Sequence, residues 1–101
     1  MELTSHGVIA ADHPALAGHF PGNPVVPGVV VLEQVLQLAQ QLPPDMPVRG
    51  VDGVKFLQPL LPQQPFVIQL QSTDRSQRWR FDCTRQGQRI ATGFLLLETA
   101  P

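Results

Sequence analysis

The stretch Val29–Leu42 (VVVLEQVLQLAQQL) contains neither glycine nor proline, opens directly after Pro27-Gly28 and is stopped by Pro43-Pro44. In a chain carrying eleven prolines and eight glycines, a run bounded this sharply locates one long helix of about four turns. Its polar positions are Glu33, Gln34, Gln37, Gln40 and Gln41, of which Glu33, Gln37 and Gln40 or Gln41 line up along one side. The first turn is apolar all round, so that end is expected to be buried.

The rest of the chain reads as strands. Residues 3–11 form a weak strand ending in a turn at Asp12-His13-Pro14. After the helix, Gly50–Leu57 is a candidate strand and residues 58–65 a proline-rich connection. Phe66–Ser72 alternates Phe66, Ile68 and Leu70 with Val67, Gln69 and Gln71; Arg78–Cys83 alternates Trp79, Phe81 and Cys83 with Arg78, Arg80 and Asp82. Gln86-Gly87 suits a hairpin turn, and Arg89–Glu98, apolar on both faces, suits a central strand or an interface. One helix with five strands, at least the last three antiparallel, is an α+β arrangement within a single domain spanning residues 1–101. Such a sheet leaves an edge and much of the helix uncovered, and a dimer is expected to cover them.

Composition excludes several classes. One cysteine rules out an internal disulfide framework and an all-cysteine zinc site. No apolar run reaches the ~18–20 residues of a membrane span, and no basic residue precedes an apolar stretch at the start as in a signal peptide, so a cytoplasmic location is expected. Residues 1–48 hold four acidic and no basic groups, while residues 49–101 hold seven basic and four acidic ones. With a net charge of −1 and no tyrosine, the chain does not suit nucleic acid, but its basic half suits an acidic protein.

Chemistry-bearing groups gather in Gly18–Gln37. Three prolines and three glycines within residues 18–28 (GHFPGNPVVPG) forbid regular structure there. His19 is a base, largely neutral near pH 7 at an unperturbed pKa of about 6.5. The Gly28 amide opens a helix, where unpaired N–H groups and the positive dipole end favour a developing oxyanion. Glu33 follows on an apolar helix, where desolvation would favour its protonated form and make it an acid.

The string His19-Phe20-Pro21-Gly22-Asn23-Pro24-Val25-Val26-Pro27-Gly28-Val29, followed by Glu33 and Gln37, resembles the signature of the 3-hydroxyacyl-acyl-carrier-protein dehydratases. That pattern is H-F-P-G-x-P-x-x-P-G-V, then an acidic residue and a glutamine at successive intervals of four. Val54–Pro62 (VKFLQPLLP) is similar to a second stretch of the family, although Gln63-Gln64 replaces its usual Gly-Asp. The resemblance covers roughly Asp12 to the C-terminus.

The resemblance implies a hotdog fold, a central helix wrapped by an antiparallel sheet, working as a dimer whose Val51–Phe56 strands meet. It implies reversible dehydration of 3-hydroxyacyl-acyl carrier protein to the trans-2-enoyl thioester, in fatty acid or polyketide/aryl-polyene-type biosynthesis. His19 would be the base, Glu33 from the other subunit the acid, and Gly28 the donor to the thioester carbonyl. Phe20, Pro27, Val29 and Gln37 would line or support the site, with Val30, Leu32, Leu36 and Phe94 as candidate walls for the acyl chain. Either Glu33 or the charged His19 would protonate the leaving hydroxyl. No metal or organic cofactor is required. The expected partners are acyl carrier protein and a second copy, or a different hotdog protein. Members typically carry a further strand and short helix before the histidine, so a short variant is expected. A non-catalytic hotdog subunit and a hotdog thioesterase are the alternatives.

Overall fold

The computed structural model describes residues 2–16 and 25–98. In chain order these form β1 (Glu2–Gly7), a short 3₁₀ turn (Pro14–Leu16), α1 (Gly28–Ala39), β2 (Val48–Phe56), β3 (Phe66–Ser72), β4 (Arg78–Arg85) and β5 (Gln88–Leu97). The strands make one antiparallel sheet in the order β1-β3-β4-β5-β2. β5 is interior, as its two apolar faces demand, while β1 and β2 are the edges.

The alternating strands set the core. Phe66, Ile68 and Leu70 of β3, Trp79, Phe81 and Cys83 of β4, and Leu95 and Leu97 of β5 turn inward. Val30, Val31, Val35, Leu38 and Ala39 of α1 close on them. Each such large side chain contributes about 1.5–3 kcal/mol on burial. The β4–β5 turn at Gln86-Gly87 has φ of 52° and 80°, the positive pair of a type I′ hairpin.

Several boundaries and faces differ from those expected: β2 begins two residues earlier, at Val48, and β4 runs on to Arg85. The regular helix ends at Ala39, and the amides of Gln40, Gln41 and Leu42 bond back to Gln37, Leu38 and Ala39. These tighter i to i−3 bonds tuck Leu42 into the core, because Pro43 bars its predecessor from continuing the helix. β1 stops at Gly7, paired with Phe66; the preceding Pro65 has no N–H with which to extend that ladder. The first turn of α1 is not buried all round: Val30 and Val31 are buried, but Val29 is 60% exposed, since a single sheet covers only one side of a helix. Phe94, expected beside the acyl chain, lies on the outer face of the sheet opposite Arg80 and Asp52. There the Arg78 guanidinium stacks 4.0 Å above its ring and reaches Asp52 at 2.8 Å.

The same outer face carries a second charged group. Asp82 accepts two hydrogen bonds from Arg80 (3.0 and 3.3 Å) and one from the Thr92 hydroxyl (3.0 Å), with Arg89 at 3.6 Å. His13 shapes the turn it occupies, its Nδ1 accepting the Ala15 amide at 3.0 Å.

Candidate active site

Three chain segments meet at the start of α1. The Val26 amide donates to the Leu60 carbonyl at 2.8 Å, which ties the helix entry to the proline-rich connection after β2. The amides of Leu57 and Gln58 both donate to the Ile90 carbonyl, at 2.9 and 3.4 Å, which ties that connection to β5. Between the segments lies a mostly apolar cleft of about 500 Å³, with Pro27 and Gly28 on one side, Phe56 and Leu57 on another, and Ile90 and Ala91 at the sheet. That volume falls within the range of small-molecule sites.

The helix N-terminus opens on this cleft, with no side-chain cap among the described residues. Pro27 is the N-cap residue, extended at φ −61° and ψ 145°, and makes no side-chain cap hydrogen bond. The Val30 amide donates to the Pro27 carbonyl at 3.0 Å; the amides of Gly28 and Val29 come too early in the helix for an intrahelical acceptor, so the end still offers donors and the positive pole of the helix dipole. Phe56 packs against this turn. A Cβ built on Gly28 would stand 2.5 Å from Phe56 Cζ, so a side chain at this position would have to displace the ring.

The expected site residues divide into three groups. Pro27 and Gly28 line the cleft. Val29, Glu33 and Gln37 lie on the exposed side of α1 together with Leu36 and Gln40. Within one chain Glu33 is therefore solvent-facing, and the burial expected for it is not supplied by this chain's own sheet. Val30 is core, and Leu32 packs partly buried against it. His19 and Phe20 lie outside the described residues. Cleft residues Val31, Phe56, Leu57, Leu60, Ile90 and Ala91 were not singled out as site residues from sequence. The VKFLQPLLP stretch marked their neighbourhood, but alternation along a strand gives a face and not a cleft.

Cys83 is not a nucleophile. Burial, and secondarily the Asp82 charge, push its thiol from 9.0 up to about 12, so the reactive thiolate is suppressed. Among the described residues no group of three or more His, Cys, Asp or Glu is arranged to hold a metal ion. No helix among them is long and apolar enough to cross a membrane.

Comparison with known proteins agrees with this architecture. The model of the ApeI-like family, described as ApeI dehydratase, matches residues 2–94. The 3-hydroxyacyl-[acyl-carrier-protein] dehydratase FabZ of Myxococcus xanthus is 30% identical over 94% of this chain and 71% of its own length. Among solved structures, the dehydratase heterocomplex ApeI:P from Xenorhabdus doucetiae superimposes with a TM-score of 0.82 at 24% identity, over 95% of this chain and 86% of that one. An uncharacterized protein from Erwinia carotovora subsp. atroseptica gives a TM-score of 0.80, also at 24% identity, over 95% of this chain and 82% of that one. The two structural likenesses establish the hotdog fold. A family match across nearly the whole chain, joined to 30% identity with a FabZ, places this protein in the ApeI-like dehydratase family.

Proposed function

We propose that this protein catalyses the reversible dehydration of a 3-hydroxyacyl thioester, carried on acyl carrier protein, to the trans-2-enoyl thioester. The observation that carries the proposal is the start of α1, which opens at Gly28 into an apolar cleft in a chain of the dehydratase family. A thioester carbonyl placed at the Gly28 amide gains a hydrogen bond that strengthens as the oxygen becomes enolate-like. Such donors are worth about 3–4 kcal/mol in acyl-transfer enzymes.

In the proposed reaction neutral His19 takes the proton from C2, and the electron pair of that C–H bond passes into the polarised carbonyl. The pair then returns to form the C2–C3 double bond as the C3–O bond breaks. The departing hydroxyl takes a proton from Glu33 or from the charged His19 and leaves as water. Glu33 faces away from the cleft of its own chain, so in this scheme it serves the cleft of a second copy. That copy would pair with the open edge of β2, where Val51, Phe56 and Leu57 are exposed, and extend over Val29 and Leu36 of α1. Association there would also remove Glu33 from water. Gln37, one turn further on, would orient it.

An acidic carrier suits the charge pattern. Arg80 and Arg89 share Asp82, and Arg78 is held by Asp52. Lys55 is exposed beside Phe56 at the cleft and has no acidic partner among the described residues.

The test is incubation of the purified protein with 3-hydroxyacyl- and trans-2-enoyl-acyl carrier protein, alongside His19→Ala and Glu33→Gln. Interconversion abolished in both variants supports the proposal. Release of free carrier thiol would indicate a thioesterase, and carrier binding without turnover a non-catalytic subunit; either result overturns it.

A further inference from the structure

The ring of Phe56 lies where a side chain at position 28 would begin. A Cβ at Gly28 would meet Phe56 Cζ, Cε2 and Cε1 at 2.5, 2.8 and 2.9 Å, where ordinary carbon contacts are 3.4–4 Å. On that side of Gly28 a methyl group fits only if the ring moves. Phe56 is also a wall of the cleft onto which the helix start opens; the residue is 52% exposed within one chain, on the β2 edge that the proposed second copy would cover and so confine. A carbonyl oxygen hydrogen-bonded to the Gly28 amide sits about 3 Å from that nitrogen, and the C2 carbon, two bonds from that oxygen, stays near enough to Gly28 to have the Phe56 ring as a neighbour.

We infer that Phe56 is a specificity-determining residue, whose ring against Gly28 restricts the site to 3-hydroxyacyl thioesters unbranched at C2. The inference rests on the dehydratase reading above and adds the class of acyl group. A 2-methyl substituent would have to displace the ring or lift the carbonyl from its donor. Removal of the ring opens that space. One methyl group in an apolar pocket is worth a 10- to 200-fold discrimination as an order of magnitude.

The experiment compares kcat/KM for 3-hydroxybutyryl- and 2-methyl-3-hydroxybutyryl-acyl carrier protein in the wild type, Phe56→Leu and Phe56→Ala. The wild type is expected to prefer the unbranched substrate by roughly 10-fold or more, with the preference falling stepwise through Leu to Ala. A ratio that stays within twofold across the three proteins overturns the inference and leaves the dehydratase reading intact. Absence of wild-type turnover on the unbranched substrate overturns both. The contact itself has a readout without turnover. Gly28→Ala should lower the melting temperature of the wild type and lower it less, or raise it, in the Phe56→Ala background, because the added methyl group meets the ring only in the former. Equal shifts in both backgrounds overturn it.

Discussion

Gly93→Ala is a stringent test of how β5 is packed. Gly93 pairs with Phe81 across the β4–β5 ladder. A methyl group there would lie 2.8 Å from both Cε2 and Cζ of Phe81 and 3.1 Å from the Val54 Cα. Phe81 is 0% exposed, so its ring has no solvent to swing into, and Val54 belongs to the backbone of β2. Restoring ordinary contact at 3.4 Å requires a shift of at least 0.6 Å inside a filled core. Overpacking of this type costs about 1–3 kcal/mol. Gly→Ala at a compatible position returns only about 0.4–1 kcal/mol through the unfolded chain. The net effect is a loss of roughly 1–2 kcal/mol, or about 4–16 °C in melting temperature for a domain of this size. Thermal unfolding followed by far-UV circular dichroism reads it directly. Phe81→Leu in the same chain should relieve the clash, so the double variant should be more stable than the sum of the single losses predicts by about 1 kcal/mol. A Gly93→Ala protein that melts at or above the wild-type temperature would refute the packing described for this pair.

Three further outcomes follow from the structure. Cys83 holds its proton to about 12 when folded, against 9.0 when free, so the unfolded chain releases this proton first as pH rises. Its contribution is therefore complete below pH 9 and declines between pH 9 and 12 by up to about 1.4 kcal/mol per unit, a slope that Cys83→Ala should reduce in urea titrations. The native thiol should also resist iodoacetamide at pH 8 and react once the chain is unfolded. Asp82→Asn removes the acceptor shared by Arg80, Arg89 and Thr92 and should cost about 1–2 kcal/mol in chemical denaturation; an unchanged midpoint would mean the outer-face group contributes nothing. Val51→Lys charges the exposed edge of β2 and should shift sedimentation toward a single chain while leaving the circular dichroism spectrum intact; an unaltered sedimentation profile would exclude that edge as the site of association.

Local order was legible in the residues because its causes are local. The period-two alternation of Phe66–Leu70 and Trp79–Cys83 fixes which side chains can face a core, whatever that core is. Pro43-Pro44 ends the helix through backbone sterics alone, and Gln86-Gly87 turns the hairpin for the same kind of reason. The H-F-P-G string and its spacing to Glu33 and Gln37 point to the family, which the comparison bears out. Pairing decided the rest. Phe94 was misplaced because an apolar residue in a strand with two apolar faces carries no mark of which face it joins; the register Phe81 to Gly93 settles it, and a slip of one residue would reverse it. The exposure of Val29 and Glu33 depends on the sheet covering one side of α1, and the cleft on hydrogen bonds from Val26 to Leu60 and from Leu57 to Ile90, across more than thirty residues of chain in each case. The contact of Phe56 with Gly28 likewise joins positions with no common periodicity. Short-range sterics and alternation specify elements, whereas a site assembled from distant segments exists only once strand register has brought them together.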